Sequence, residues 1–332
     1  MPGNPDIQPI ILPETYDHNL PTSPPFSQIQ LSHHPCSSPT TTATIILTLH
    51  RPKAHNAFTK TMMLEIERAF TILDLDSRVK CIVVTGSPPT SAGPPSKIFC
   101  AGADLSNRFV EDGEEPSTHR DGGGRVTLAI HRCRKPVIAA IQGAAVGVGA
   151  TMTLPMSIRV AWREAKVGFV FARRGLVMEA ASSYFLPRLV GMSKAIHLVT
   201  TGSVYPASHP LLSDLFTELL PTPDAVLPRA LELADEIAQN NSTVAMALMK
   251  DMMYRGPDSA EAAHLLDSNL ICDMFRSEDH REGVESFLQK RAANFTGTME
   301  KNAPAAWPWW APVDTGNRPV GVASGDTAKA KL

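Results

Sequence analysis

The chain has 332 residues, of which 43% are hydrophobic and 19% are charged, and its formal net charge is -2. A sizeable core can be buried, and the near-neutral charge excludes the basic surface typical of nucleic-acid or acidic-membrane binding. No apolar run is as long as a membrane span, and the N-terminus lacks the pattern of a secretory signal. Five widely spaced cysteines without a CxxC pair favour reduced thiols over a disulfide framework or a metal site.

The first two thirds of the chain are predicted to alternate strands and helices. Residues 1–25, rich in Pro and polar residues, are expected to be disordered. Strands are predicted at 45–49, 79–85, 136–141 and 158–162, and helices at 58–73, 126–133, 150–154, 180–190 and 193–201. Residues 87–97 and 143–149 are expected to form loops, and 99–105 to lead into a further helix.

The remainder of the chain has a helical pattern until its tail. Helices are predicted at 226–239, 243–254, 259–274 and 279–292, and the segment after residue 295 has no periodicity. Strand–helix units followed by a run of helices predict an α/β core with parallel strands and a separate helical C-terminal region.

Four segments of the chain carry motifs, and both the residues of each motif and the order of the four along the chain carry information. They are residues 49–57 (LHRPKAHNA), 99–105 (FCAGADL), 135–154 (KPVIAAIQGAAVGVGATMTL) and 282–295 (EGVESFLQKRAANF). In that order they resemble the N-R-P-x-x-x-N-A-L, F-x-A-G-x-D-L, K-P-x-I-A-A-V-x-G-x-A-x-G-G-G and E-G-x-x-A-F-x-E-K-R-x-P-x-F blocks of the enoyl-CoA hydratase/isomerase (crotonase) family. The resemblance spans residues 40–295.

The resemblance implies a fold and a division of the chain. The fold is α/β, a crotonase-like spiral of repeated ββα units with a helical C-terminal region that forms homotrimers or hexamers. The division is a disordered extension (1–25), a spiral core (26–210), a helical oligomerisation region (211–295) and an extended tail (296–332).

The resemblance also implies an acyl-CoA site in which two backbone N–H groups, an oxyanion hole, hold the thioester oxygen. The matching positions are Ala103 and Val148. The family usually has Gly at the second position, so the valine side chain is expected to crowd the hole without removing the donor. The implied acyl-CoA-binding residues are Lys53, Ala54, Ala101, Gly102, Ala103, Asp104, Leu105, Ser106, Gly147 and Val148. No metal is expected, nor any cofactor besides coenzyme A, which is part of the substrate.

The catalytic carboxylates of the family's hydratases are absent. Their positions correspond to Thr151 and Phe171. Glu179, within residues 175–184 (GLVMEAASSY), instead matches the P-E-G-C-S-S-Y segment of peroxisomal Δ3,Δ2-enoyl-CoA isomerases. There the glutamate carries one proton from C2 to C4, and burial among apolar residues would raise its pKa toward a useful value. The alternative is an ordinary glutamate in the first turn of a helix.

Other functions stay open. One is a specialised enoyl-CoA hydratase or dehydratase of fungal-type secondary metabolism, and another is a catalytically inert acyl-CoA-binding protein. A nicotinamide-dependent dehydrogenase is disfavoured, because the glycine pattern that begins at Gly147 has Met152 at its third position.

The final tripeptide, Ala330-Lys331-Leu332, is a close variant of the Ser-Lys-Leu address that the peroxisomal import receptor reads. It predicts a peroxisomal location. The partners expected are therefore the acyl-CoA substrate, further copies of the chain and the import receptor, with no nucleic acid and no membrane.

Overall fold

The structure, a computed structural model, describes residues 12–16, 25–87, 97–106 and 114–316. Its strands form two sheets. The six-stranded sheet has the order β1 (Ile29–His34), β2 (Thr44–Leu49), β3 (Cys81–Gly86), β5 (Val137–Ile141), β7 (Ile158–Trp162) and β10 (Glu218–Leu220). The four-stranded sheet has the order β4 (Ile98–Cys100), β6 (Ala144–Val146), β8 (Lys166–Gly168) and β9 (Val204–Pro206). Neighbouring strands are parallel, except that β1 is antiparallel to β2 and β9 to β8.

Helices connect and flank the two sheets. They are α1 (Lys60–Leu75), α2 (Gly122–Arg132), α3 (Val148–Thr151), α4 (Ser182–Val190), α5 (Met192–Thr201), α6 (Val226–Asn240), α7 (Thr243–Arg255), α8 (Ala260–Phe275), α9 (Glu278–Gln289) and α10 (Met299–Asn302). After β3, β5 and β7 the chain passes to a strand of the smaller sheet and then to a helix. The result is a repeated ββα unit. None of the helices in the described ranges is long and apolar enough to span a membrane.

The central strands are buried on both faces, which explains why they were predictable as apolar runs. Every residue of β3 and β5 is buried. Because successive side chains of a strand point to opposite faces, Ile82 and Val84 join the main core, whereas Cys81 and Val83 join a second cluster. The second cluster lies between the six-stranded sheet and α6, which contributes Ala230 and Ala234.

The chain after residue 211 is not helical from its start. β10 pairs with β7 as the last strand of the six-stranded sheet, and α6 packs on the same sheet. The predicted boundary at residue 211 therefore falls within the sheet-forming part, and the helices beyond the sheet begin with α7. The short strand was missed because its three residues carry no periodicity.

Part of the predicted disordered extension is packed against the core. Tyr16 is 1% exposed, and its hydroxyl donates a 3.0 Å hydrogen bond to Asp76 Oδ2. Its carbonyl accepts a hydrogen bond of 2.9 Å from the N–H of His33. The prediction of disorder is thus wrong for residues 12–16, while residues 1–11 and 17–24 lie outside the described ranges.

Two local predictions also fail in the segments that follow strands. Residues 101–106 form no helix; they follow β4 as a turn in which Ala103 forms a single parallel bridge with Phe58. The predicted loop at 143–149 contains β6, and the short helix begins at Val148 rather than at Ala150. The small residues of these segments gave no alternating or helical pattern, so only the pairing of the two strands reveals the structure.

Candidate active site

Two unpaired backbone amides lie at one edge of the four-stranded sheet. Ala103 follows β4 and Val148 follows β6, and these neighbouring strands are parallel. Gly102 O accepts from Phe58 N at 2.8 Å, and Asp104 N donates to Phe58 O at 2.8 Å. The Ala103 N–H between them and the Val148 N–H have no acceptor among the described residues. Both therefore remain available to an oxygen atom of a ligand.

Glycines allow the two segments to approach each other. Gly102 has φ +104°, and a Cβ on it would lie 3.0 Å from Val146 O. A Cβ on Gly149 would lie 2.3 Å from Cys100 O, closer than any side chain permits. The Val148 side chain, expected to crowd the amides, is 4% exposed and belongs to the main core. Close backbone contact thus sets the position of both donors.

Asp104 fixes the turn after Ala103. Its carboxylate accepts hydrogen bonds from Ser106 Oγ at 2.6 Å and from Arg51 Nη2 at 3.0 Å. The bonds from Ser106 and Arg51 hold the pKa of this carboxyl below its ordinary value. Because its oxygens accept these hydrogen bonds, we interpret Asp104 as a residue that stabilises the turn.

The segment implied to receive coenzyme A is joined to the first amide segment. Lys53 and Ala54 lie in a short 3₁₀ helix, Pro52–Ala54, and Lys53 is exposed. Just beyond it, His55 O accepts from Ala101 N at 3.1 Å. The neighbouring predicted residues form an exposed edge at Ala101, Leu105 and Ser106. The structure therefore joins the first two groups of predicted binding residues, at 53–54 and 101–106, while Gly147 and Val148 follow β6.

Glu179 lies just before α4 and is held from two sides. Its Oε1 accepts a 2.6 Å hydrogen bond from Thr151 Oγ1, and Thr151 is fully buried. Its Oε2 lies against Gly123, where a Cβ would be only 1.6 Å away. The pKa of Glu179 is raised to about 8: burial is the largest cause, the Thr151 bond opposes the rise, and Asp121 adds to it. Such a carboxyl can accept or donate a proton near neutral pH.

The backbone after Glu179 is strained. Ala180 and Ala181 have φ values of +60° and +48°, in the left-handed region that favours glycine. For this reason α4 begins at Ser182 and not at Ala180, and Glu179 lies outside the first turn of the helix. The alternative of an ordinary first-turn glutamate does not hold. Strain of this kind concentrates at functional sites.

Asp121 is a residue of this region that the sequence analysis did not single out. It is the N-cap of α2, and its Oδ1 accepts from Gly124 N at 2.5 Å and from Ala180 N at 3.1 Å. Its carboxyl also lies close enough to Glu179 to raise the pKa of that residue. An aspartate followed by three glycines was the only local signal, and such a signal indicates a helix start rather than a partner for a distant glutamate.

The two positions implied for hydratase carboxylates hold no acid. Thr151 donates to Glu179 as described, and Phe171 begins a 3₁₀ helix, Phe171–Arg174, and packs against the main core. No group of three His, Cys, Asp or Glu residues in the described ranges could hold a metal ion. Burial raises the pKa of Cys100 to about 12, so this thiol beside the amides is unreactive near neutral pH.

Known proteins resemble this chain over most of its length. The profile of the enoyl-CoA hydratase/isomerase family matches residues 40–298. Enoyl-CoA hydratase AFT3-1 of Alternaria alternata is 49% identical over 258 residues, which are 78% of this chain and 84% of that protein. Enoyl-CoA hydratase EchA19 of Mycobacterium tuberculosis is 30% identical over 255 residues, which are 76% of this chain and 92% of that protein.

Solved structures share the fold. A probable enoyl-CoA hydratase/isomerase of Mycobacterium abscessus superposes with a TM-score of 0.68 at 30% identity, covering 77% of this chain and 96% of that one. A putative enoyl-CoA hydratase of Streptomyces coelicolor A3(2) has a TM-score of 0.71 at 26% identity, covering 84% and 97%. These neighbours confirm the predicted crotonase-like α/β fold with its helical C-terminal region.

Proposed function

Because the chain belongs to the enoyl-CoA hydratase/isomerase family, we propose that it shifts a double bond along the acyl chain of an enoyl-CoA, with Glu179 as the single proton carrier. The observation that carries the proposal is the hydrogen bond of 2.6 Å between Glu179 and Thr151. This bond holds the Glu179 carboxyl beside Thr151, the position that the family resemblance implies for the first hydratase carboxylate. Enzymes of this family need no cofactor beyond the coenzyme A of their substrate.

The chemistry requires stabilisation of an enolate. Ionised Glu179 takes a proton from C2 of a 3-enoyl-CoA: the C2–H bond breaks, an O–H bond forms, and the electron pair moves onto the thioester oxygen. The N–H groups of Ala103 and Val148 hold that oxygen, and each such donor contributes about 3–4 kcal/mol to transition-state stabilisation. The same carboxyl then gives the proton to C4, and the double bond ends between C2 and C3.

The protonation equilibrium of Glu179 suits this role. A base must be partly ionised at the working pH, yet basic enough to take a proton from carbon. A pKa of about 8, raised mainly by burial, meets both conditions. A fully exposed glutamate would be ionised but too weakly basic.

Water addition or removal is the second candidate function. Alternaria alternata proteins named enoyl-CoA hydratases are 49% and 48% identical to this chain. A hydratase uses one carboxyl to orient water and another to donate a proton, and the described site does contain two carboxyls, Glu179 and Asp121. Against this function stand Thr151 and Phe171 at the implied hydratase positions.

The experiment compares wild type with Glu179→Gln on 3-enoyl-CoA and 2-enoyl-CoA, following conjugation of the thioester and addition of water separately. Isomerisation should fall by about a hundredfold or more, because the amide cannot carry a proton. Substrate affinity should barely change, since the two amides are intact. Glu164→Gln is the matched control, because Glu164 is exposed and, among the residues that the structure describes, pairs with its neighbour Arg163. Rapid hydration would instead favour the second candidate, and binding without any turnover would favour an inert acyl-CoA-binding protein.

We also propose that the chain assembles into homotrimers or hexamers through its C-terminal helices. Large apolar side chains on α8 and α9 are exposed, namely Leu265 (71%), Phe275 (59%), Phe287 (81%) and Leu288 (72%). Exposed apolar patches of this kind indicate a protein interface. Light scattering should therefore give three or six times the 35.9 kDa of one chain. Phe287→Arg should lower that mass, and a monomeric wild-type protein would contradict the proposal.

Delivery to peroxisomes is proposed from the final tripeptide, residues 330–332, which lies outside the described residues. The import receptor reads such a signal only at a free carboxyl end. A fluorescent protein fused to the N-terminus should therefore give peroxisomal puncta, and one fused after Leu332 should remain cytosolic. Cytosolic fluorescence from both fusions would contradict the proposal.

A further inference from the structure

We propose that Asp121 is a positioning residue for Glu179: its carboxylate, held by two backbone N–H groups, shares a single proton with the Glu179 carboxyl and makes Glu179 a stronger base. This role deepens the proposed function and rests on Glu179 being the proton carrier. Neither the family comparison nor the motifs point to Asp121, and its only local signal is that of a helix cap.

The first support is the way the backbone holds Asp121. Its Oδ1 caps α2 by accepting from Gly124 N at 2.5 Å, and it also accepts from Ala180 N at 3.1 Å. Ala180 directly follows Glu179 in the chain, so one oxygen joins the start of α2 to the segment that carries the proposed base. The second oxygen of Asp121 takes part in neither bond.

The second support is the space around the two carboxyls. A Cβ on Gly123 would lie 1.6 Å from Glu179 Oε2, and a Cβ on Gly124 would lie 2.5 Å from Asp121 Oδ2. The two acids therefore occupy room that exists only because consecutive residues of α2 lack side chains. Thr151 occupies Glu179 Oε1 from the other side, which leaves Oε2 to interact with Asp121.

The third support is the distribution of charge around the pair. At the N-terminus of α2 the titratable group near Glu179 is Asp121. The neutral Thr151 approaches from α3, and Ala180 and Ser182 lie between Glu179 and the first turn of α4. Arg125, the nearest cation along α2, is paired with Glu67 at 2.5 Å. No ion pair with Asp121 is present in the described part of the chain. Two adjacent carboxyls without a cation cannot both ionise easily, so they retain one proton.

The consequence concerns the step at C2. The active form is the pair that has lost its shared proton. When the C2–H bond breaks and its proton goes to Glu179, the new O–H donates to the Asp121 carboxylate, and the state with one shared proton forms again. The protonated form of the base is thereby stabilised, and burial and Asp121 both raise the pKa of Glu179. When the proton passes on to C4, the pair returns to its starting state, so no other reagent is consumed.

The test is the pH dependence of isomerisation for wild type, Asp121→Asn and Asp121→Ser. Both replacements can still cap α2, but neither carries a charge. Activity should rise with pH as Glu179 ionises, and in both variants this rise should move by about one pH unit to lower pH. The maximal kcat should fall about tenfold, because the base is weaker, and KM should stay nearly constant.

A control variant separates this effect from the loss of a helix cap. Ser259 caps α8, where its Oγ accepts from Ala262 N at 3.2 Å, and it lies outside the proposed catalytic site. Ser259→Ala should lower stability without moving the pH profile. An unchanged profile in Asp121→Asn and Asp121→Ser, in protein that folds normally, would overturn the role of Asp121.

Infrared difference spectroscopy provides a readout without turnover. The carboxylic-acid C=O band that is lost in Glu179→Gln should disappear near pH 8 in wild type and at lower pH in Asp121→Asn. If Glu179→Gln retains full isomerisation while the band still moves, the proposed function fails and the carboxyl pair stands. If Glu179→Gln is inactive and the band does not move in Asp121→Asn, the pair fails and the proposed function stands.

Discussion

Thr151 Oγ1 donates a 2.6 Å hydrogen bond to Glu179 Oε1, and Thr151 is the last residue of the one-turn helix that begins with Val148. The same turn thus presents an unpaired N–H at its start and a hydroxyl that holds the carboxyl at its end. The separation between the proposed enolate donor and the proposed base is fixed by a single rigid element. The contributions of the Val148 N–H and of the Thr151 hydroxyl can therefore be tested by separate mutations.

Replacing Thr151 with Val should move the pH profile of isomerisation to higher pH. The Thr151 hydrogen bond lowers the pKa of Glu179, against the effect of burial. Without this bond Glu179 ionises only at higher pH. Turnover near neutral pH should therefore fall about three- to tenfold, while the activity at high pH recovers. The measurement is kcat against pH. Thr153→Val is the matched control, because Thr153 is also buried but bonds to Ala150 O; a shift in both variants would contradict the assignment.

Replacing Gly123 with Ala should displace the Glu179 carboxyl. The new Cβ would lie 1.6 Å from Glu179 Oε2, so the side chain must move away from its present position. Isomerisation should fall by about a hundredfold, the scale of losing a general base, while circular dichroism and thioester binding are retained. In the control Gly122→Ala, the new Cβ meets the flexible Met63 side chain at 3.1 Å. Full activity of Gly123→Ala would show that Glu179 acts from another position.

Replacing Val148 with Pro should remove one of the two amide donors. Proline is tolerated at the first position of a helix, so the turn itself can form. Turnover should fall by about 10²–10³-fold, as for the loss of one oxyanion-hole donor. Val148→Ala keeps the N–H and truncates the buried side chain, and it should affect stability more than turnover. Similar turnover for the two variants would mean that the thioester oxygen binds elsewhere.

The Tyr16–Asp76 hydrogen bond predicts a dependence of stability on pH. Burial alone would raise the pKa of Asp76, but hydrogen bonds from Arg78 and Tyr16 outweigh it, so the pKa lies below its ordinary value. A depressed carboxyl pKa stabilises the fold at pH values above the unfolded-state pKa, and that stabilisation is lost as the pH falls through the folded-state pKa. Asp76→Asn should lower the free energy of unfolding at pH 7 by about 1–3 kcal/mol.

Denaturant unfolding at pH 7 and at acidic pH is the measurement. The difference between wild type and Asp76→Asn should shrink toward acidic pH, where Asp76 is protonated in both the folded and the unfolded state. Tyr16→Phe should cost about 1 kcal/mol at pH 7, since it removes one hydrogen bond and keeps the ring. A difference that stays constant with pH would show that packing, and not the charge of Asp76, accounts for the loss.

The sequence predicted the large sheet better than the small one, for a physical reason. β3 and β5 are buried on both faces, so every residue is apolar or small and the run stands out. β6 consists of Ala144–Val146 among glycines, and only its pairing with β4 and β8 makes it a strand. The order of Tyr16 has no local signal in the sequence, because its partner, Asp76, is sixty residues away.

Some residues of the candidate site were likewise predictable from the sequence, and others were not. Ala103, Val148 and Glu179 could be named from motifs, since each lies in a segment whose spacing is shared with a known family. Asp121 could not, because its contacts with Glu179 and Ala180 arise from the approach of two segments about sixty residues apart. The left-handed conformation of Ala180 was equally invisible, since alanine ordinarily favours a helix.

The two left-handed alanines after Glu179 have a consequence for evolution and engineering. Each costs about 1–2 kcal/mol relative to a relaxed conformation, a cost that glycine would largely avoid. Glycine at Ala181 would let the fold relax and would also widen the range of positions open to the carboxyl before α4. Selection for thermal stability alone should therefore favour glycine here, whereas selection for turnover should retain alanine. At these two alanines, selection for stability and selection for turnover therefore oppose each other.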